Sequence, residues 1–165
     1  MNFLIGDTVI HNTHGIGKIV RLEEQTFSGR KTLYYVVQVR DLTVWVPVDA
    51  QVMSRLRPPT PQDEFSRLFS ILSEPGKTLP DDRLERRTHL LEELKDGKAE
   101  SRCRVIRDLS SFQYKKSLNE NDRSVLRQAS DSLLGEWEFS LSIPQAQAQV
   151  KLNDLLMKPS LPLAK

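Results

Sequence analysis

Apolar and polar positions follow two different rhythms along this chain, and the change falls near residue 58. Up to that point apolar residues recur at every second position. Residues 8–11 (Thr-Val-Ile-His) make a short alternating run. Residues 16–25 make a longer one, in which Ile16, Lys18, Val20 and Leu22 alternate with Gly17, Ile19, Arg21 and Glu23. Residues 32–40 are almost all β-branched or aromatic. Residues 42–48 set Val44, Val46 and Val48 against Thr43, Trp45 and Pro47. A period of two, enriched in such residues, predicts strands. Ser28-Gly29 predicts a hairpin tip, Arg40-Asp41 a tight connection and His14-Gly15 a turn. Short antiparallel strands in so small a segment suit a strongly bent barrel rather than a sandwich.

Residues 58–61 (Pro-Pro-Thr-Pro) form a stiff linker that cannot continue a sheet ladder. Beyond it the period becomes helical. Thr60 is expected to cap a first helix with Pro61 at its first position; Phe65, Leu68, Phe69 and Leu72 share one face, and Glu74-Pro75-Gly76 ends it. A second helix is expected from residues 81–82 to 96–97, with Leu84, Leu91 and Leu94 on or near one stripe and Thr88 between them. A third covers about residues 98–112, with Cys103, Ile106 and Leu109 inward. A fourth is capped by Asn119, with Asp122 at its third position and Leu126, Ala129, Leu133 and Trp137 at helical spacing. A fifth opens on Ser142-Ile143-Pro144-Gln145, read as a capping box, and ends near residue 157. The expected architecture is therefore α+β: a β-barrel over residues 1–57, the linker, a compact bundle of about five helices over residues 62–157, and a frayed tail over residues 158–165.

Composition narrows the classes. The chain has 165 residues, 24 Lys and Arg against 22 Asp and Glu, and a formal charge of +2, which excludes a strongly cationic protein as a whole. The 38% of hydrophobic residues is lean for one large core and fits two small ones. A single cysteine, Cys103, excludes an internal disulfide and a cysteine zinc site, and fits a reducing compartment. The first residues lack the basic and apolar stretches of a signal peptide, and no apolar run is long enough to span a membrane. A soluble, cytoplasmic chain is expected.

The chemistry-bearing residues point away from catalysis. His11 and His14 lie three apart without an acidic cluster, His89 stands alone, and Cys103 falls on an inward stripe. No phosphate loop, nucleophile elbow or dinucleotide fingerprint is present. No enzyme activity, cofactor or metal is expected. Charge distribution says more than the total. Residues 101–127 hold seven basic residues against three acidic ones, and Arg83, Arg86 and Arg87 cluster in the preceding helix. These arginines read either as phosphate contacts or as a solvated face balanced by Asp81, Asp82 and Glu85. Trp45, predicted outward, reads as a docking anchor, as part of an aromatic cage with Tyr34 or Tyr35, or as a ring lying over its own sheet.

Several runs together resemble a known family. Phe3-Leu4-Ile5-Gly6-Asp7-Thr8-Val9-Ile10, His14-Gly15-Ile16-Gly17-Lys18-Ile19, Tyr34-Tyr35-Val36-Val37 and Leu42-Thr43-Val44-Trp45-Val46-Pro47-Val48 resemble the RNA-polymerase-interacting, Tudor-like (SH3-like) domain of the CarD family, shared with CdnL and the transcription-repair coupling factor. Arg86-Arg87, Leu94, Gly97, Val105-Ile106-Arg107-Asp108-Leu109 and residues 118–134 resemble that family's helical domain. The resemblance implies a transcription regulator without enzymatic activity. Its barrel would dock on the β-subunit lobe of bacterial RNA polymerase through Gln25, Trp45, Val46 and Pro47. Its helical domain would contact the minor groove at the upstream edge of the promoter bubble through Arg83, Leu84, Arg86, Arg87 and His89. No base sequence would be read, and open-complex stability would change. Two departures stand out: Leu84 takes the place of a tryptophan wedge, and Gln25 and Trp45 take positions often basic in relatives. Nothing argues for an oligomer, so a monomer is expected. The alternative reading is a polymerase-docking adaptor that does not touch DNA.

Overall fold

A computed structural model describes residues 3–157. The tail expected at residues 158–165 lies outside the described residues. The chain divides into two compact units, Met1–Pro59 and Thr60–Lys165.

The first unit is a five-stranded antiparallel sheet: β1 (Thr8–His11), β2 (Gly15–Phe27), β3 (Arg30–Val39), β4 (Leu42–Pro47) and β5 (Leu56–Arg57), in the order β4-β3-β2-β1-β5. A one-turn helix, α1 (Val52–Arg55), precedes β5. Neither α1 nor β5 was expected, because four and two residues are too few to show a period. Their Val52 and Leu56 nonetheless complete the core with Val9, Ile19, Tyr35 and Val37. The β2–β3 tip has Ser28 and Gly29 both at positive φ (50° and 77°), the geometry of a tight hairpin turn whose twist matches the strands.

The alternation expected in β2 does not run unbroken. Ile19 pairs with Val37 and Arg21 with Val36, so Val20 is an extra, unpaired residue. This bulge flips the phase: Ile19 faces the core before it and Leu22 packs on the core after it, while Val20 is left exposed. Gly17 explains its own position. A Cβ there would sit 2.7 Å from Val39 Cγ2 and 2.8 Å from the Gln38 carbonyl.

The second unit holds α2 (Phe65–Ser73), α3 (Arg83–Leu94), α4 (Ala99–Gln113), α5 (Glu120–Leu141) and α6 (Gln145–Met157). Phe65, Leu68, Cys103, Ile106, Leu133 and Trp137 belong to one buried cluster. A second joins α3 to α4 through Leu79, Leu90, Val105, Leu109 and Leu118. Asn119 caps α5 in a complete capping box with Asp122.

Three helix expectations need correction. Pro61 does not open a helix. It is extended and leads into a 3-10 turn, Gln62–Glu64, and the Thr60 N–H is taken by the buried Glu136 carboxylate at 2.7 Å. Ser142 does not begin a capping box. It is the left-handed C-cap of α5 (φ 55°), and the carbonyl of Pro144 accepts the first bonds of α6, from Gln147 and Ala148. On α3 the inward positions are Arg86 and Leu90, while Leu84 and Leu91 are 74% and 57% exposed. Of the apolar stripe only Leu94 packs against the core, because a buried arginine occupies an inward slot that periodicity gives to an apolar residue.

Candidate docking face and nucleic-acid interface

On the first unit, the candidate residues gather on the outer face of the sheet. The register places Trp45 beside Val36 and Val36 beside Arg21, and places Pro47 beside Tyr34 and Tyr34 beside Glu23. The Trp45 indole N–H donates to Glu23 Oε2 at 2.9 Å, two strands away. To reach it the ring crosses β3, where Val36 is fully buried although it lies on the outer face. Trp45 itself stays 42% exposed. Gln25 Nε2 donates to the same Glu23 oxygen at 2.6 Å, and Arg21 Nε donates to the other at 3.2 Å. These bonds, from Gln25 first, then Trp45 and Arg21, hold the Glu23 carboxyl below the usual glutamate range. Glu23 is the organising residue of this face. In the sequence, only its spacing of two from both Arg21 and Gln25 points to this role.

The adjoining β4 edge is open on one side. The Val48 N–H donates to the Leu33 carbonyl, so Val48, Val46 and Val44 turn their backbone groups toward β3. Thr43 and Trp45 therefore turn theirs outward, and Pro47 occupies the next outward position with no N–H to offer. Val46 was expected to contact a partner, but its side chain is 1% exposed and packs in the core. Its strand, not its side chain, is presented. Tyr35 is likewise core, its hydroxyl accepting from the Phe3 N–H, which removes it from any aromatic cage.

On the second unit, α3 begins at Asp82, whose carboxylate accepts from the Glu85 N–H at 3.0 Å. Leu84, Arg87, Thr88 and Leu91 follow at the i, i+3, i+4, i+7 spacing of one helix face, and all are exposed. Arg83 stands one turn before Arg87 on the same side. Among the described residues neither arginine enters an ion pair. His89 is exposed but lies roughly 140° around the helix from Leu84.

Arg86 is corrected outright. It is 3% exposed. Its Nε donates to both Asp122 oxygens, Nη2 lies 2.8 Å from Asp122 Oδ2, and Nη1 donates to the carbonyls of Pro80 and Asp81. Its guanidinium also lies 4.7 Å from the centre of the Phe112 ring. Every nitrogen is engaged inside the fold, and none is available to a phosphate. Asp122 thus serves twice, as the third residue of the α5 capping box and as the counter-ion of Arg86. The basic excess of residues 101–127 also shrinks at the surface. Arg102 and Arg107 are buried, Arg107 pairs with Glu74 and Asp108, and Arg104 pairs with Glu93. Among the described residues no group of three or more potential metal ligands occurs, and no helix is long and apolar enough to cross a membrane.

Both units match known families. Residues 3–58 match the CarD-like/TRCF RID domain, and residues 67–153 match the CarD C-terminal domain. The chain belongs to the CarD family. This CarD-family protein is also 29% identical over 149 residues to a Bacillus subtilis (strain 168) protein named "Putative transcription factor YdeB", covering 88% of this chain and 96% of that protein. The family is one of transcription factors, and a role in transcription regulation follows for this member. Of the residues expected at the two sites, Val46 and Arg86 are buried, whereas Trp45, Arg83, Leu84, Arg87 and His89 are exposed.

Proposed function

We propose that this CarD-family protein regulates transcription without catalysis. It docks on the β lobe of RNA polymerase through its first unit and sets α3 against promoter DNA at the edge of the bubble, with no base readout. Docking uses the open β4 edge, which can accept a partner strand beside Trp45. The observation that carries the DNA reading is Leu84, 74% exposed in the first turn of α3, with the unpaired Arg83 and Arg87 on its flank. An apolar side chain flanked by two cations matches the way minor-groove proteins insert an apolar wedge while arginines hold the phosphates. Such a contact changes open-complex lifetime only by binding the open state and the closed state unequally.

The test is the lifetime of promoter open complexes with and without the protein. Leu84→Ala and Arg87→Glu are expected to shrink the difference the protein makes, while polymerase binding is kept. Arg87→Glu also lessens the dependence of the effect on salt, whereas Leu84→Ala leaves that dependence unchanged, because only the arginine contacts phosphate. If both variants act like the unmodified chain, α3 does not touch DNA and the protein is a docking adaptor.

A further inference from the structure

The β2–β3 hairpin runs past its neighbours. β1 pairs only with residues 15–18 of β2, and β4 pairs only with residues 34–39 of β3. The pairs Gln25–Thr32, Thr26–Lys31 and Phe27–Arg30 therefore have no third strand beside them. A two-stranded ribbon buries little surface of its own. At its end Phe27 is 63% exposed.

The placement of Phe27 is specific. After the bulge at Val20, residues 21, 23, 25 and 27 of β2 share one face of the sheet. That row begins with Arg21 and Glu23 beside Trp45, continues through Gln25, which bonds Glu23, and ends on Phe27. Arg30 sits directly across from Phe27 and on the same face. Residues 25–32 contain no acid, and among the described residues Arg30 enters no ion pair.

We infer that Phe27 with Arg30 forms a second anchor of the docking face, received by an apolar pocket beside a carboxylate on the same protein surface that meets Trp45. This rests on the docking reading above. The continuous face favours a protein partner, because the row leads from Trp45 to Phe27 without turning to the other side of the sheet. The cation beside an exposed ring, with no ion-pair partner among the described residues and no acid within residues 25–32, sets the partner's charge. A protruding ring at the end of a ribbon also suits an anchor, since large aromatic side chains dominate the binding energy of protein interfaces.

The experiment measures the affinity of the full chain for bacterial core RNA polymerase, and separately for duplex DNA. The variants are Phe27→Ala, Arg30→Glu, Arg30→Lys and Trp45→Ala. Phe27→Ala and Arg30→Glu are each expected to weaken polymerase binding by roughly tenfold. Arg30→Lys should lose much less, and thermal midpoints should not move, because both side chains are exposed. DNA binding should be unchanged. Polymerase binding that drops for Trp45→Ala but not for Phe27→Ala overturns the second anchor and leaves the docking reading standing. A loss confined to duplex DNA overturns it in favour of a nucleic-acid contact at the tip. No polymerase binding by the unmodified chain overturns the docking reading itself, and this inference with it.

Discussion

Trp45 and Leu84 are both large apolar side chains left at the surface, 42% and 74% exposed, yet their surroundings differ in kind. Trp45 is fixed at its polar end by Glu23, which Gln25 and Arg21 hold in turn. Leu84 is fixed by nothing but its helix, and the arginines on its flank are unpaired. A ring held in one pose before binding loses little freedom when a partner arrives, which suits a surface of fixed shape. Loose side chains among free cations suit a partner whose charge repeats along a groove and whose shape varies. The same contrast recurs inside α3. Arg86 and Arg87 are neighbours in sequence, but the first is a strut within the fold and the second is free.

The largest effect should come from separating those two arginines. Removing one partner of a buried ion pair leaves the other charge without compensation, at a cost of about 3–5 kcal/mol. Arg86→Ala or Asp122→Ala should therefore destabilise the helical unit by that order in urea denaturation. Arg87→Ala should cost within about 0.5 kcal/mol, as exposed substitutions do. Equal costs for the two arginines would mean that the Arg86–Asp122 contact contributes little and that the contrast between strut and free cation is false.

A smaller effect sharpens the reading of Leu84. Base–aromatic stacking is worth roughly 1–3 kcal/mol per base. Leu84→Trp should then enlarge the protein's effect on open-complex lifetime by roughly tenfold, without altering stability. An unchanged lifetime would place Leu84 away from the unstacked bases.

Much of this was legible from residue patterns, and the failures have physical causes. Strands β1 to β4 follow from alternation, which the two residues of β5 are too few to show, and the α5 cap follows from Asn119 and Asp122. Arg86 was misplaced. Periodicity treats arginine as an outward residue, so the burial of Arg86 against Asp122, 36 positions away, turned the helix relative to its expected face. Val46 was misjudged for a different reason. Alternation alone sets Val46 opposite the outward Trp45, but the resemblance placed the whole strand edge at the partner, and an edge strand presents its backbone while alternate side chains remain in the core. Glu23 stayed hidden because its importance lies in a bond across two strands, which exists only once the sheet is formed.

The smallest effect tests whether Trp45 is in fact held. Glu23→Gln removes the charge while keeping an acceptor, and should weaken polymerase binding several-fold less than Trp45→Ala does. The bond also has a pH signature. Because the folded state lowers the Glu23 pKa, the stabilisation is fully present above the ordinary glutamate range and is lost as pH falls through the lowered value. The indole N–H resonance of Trp45, told apart from that of the buried Trp137 by a Trp45→Phe variant, should shift with a midpoint below the usual glutamate value. A midpoint at the ordinary value, or no shift on acidification, would mean that Glu23 does not hold the ring. Trp45 would then be as loose as Leu84, and the preformed shape argued for the docking face would be lost.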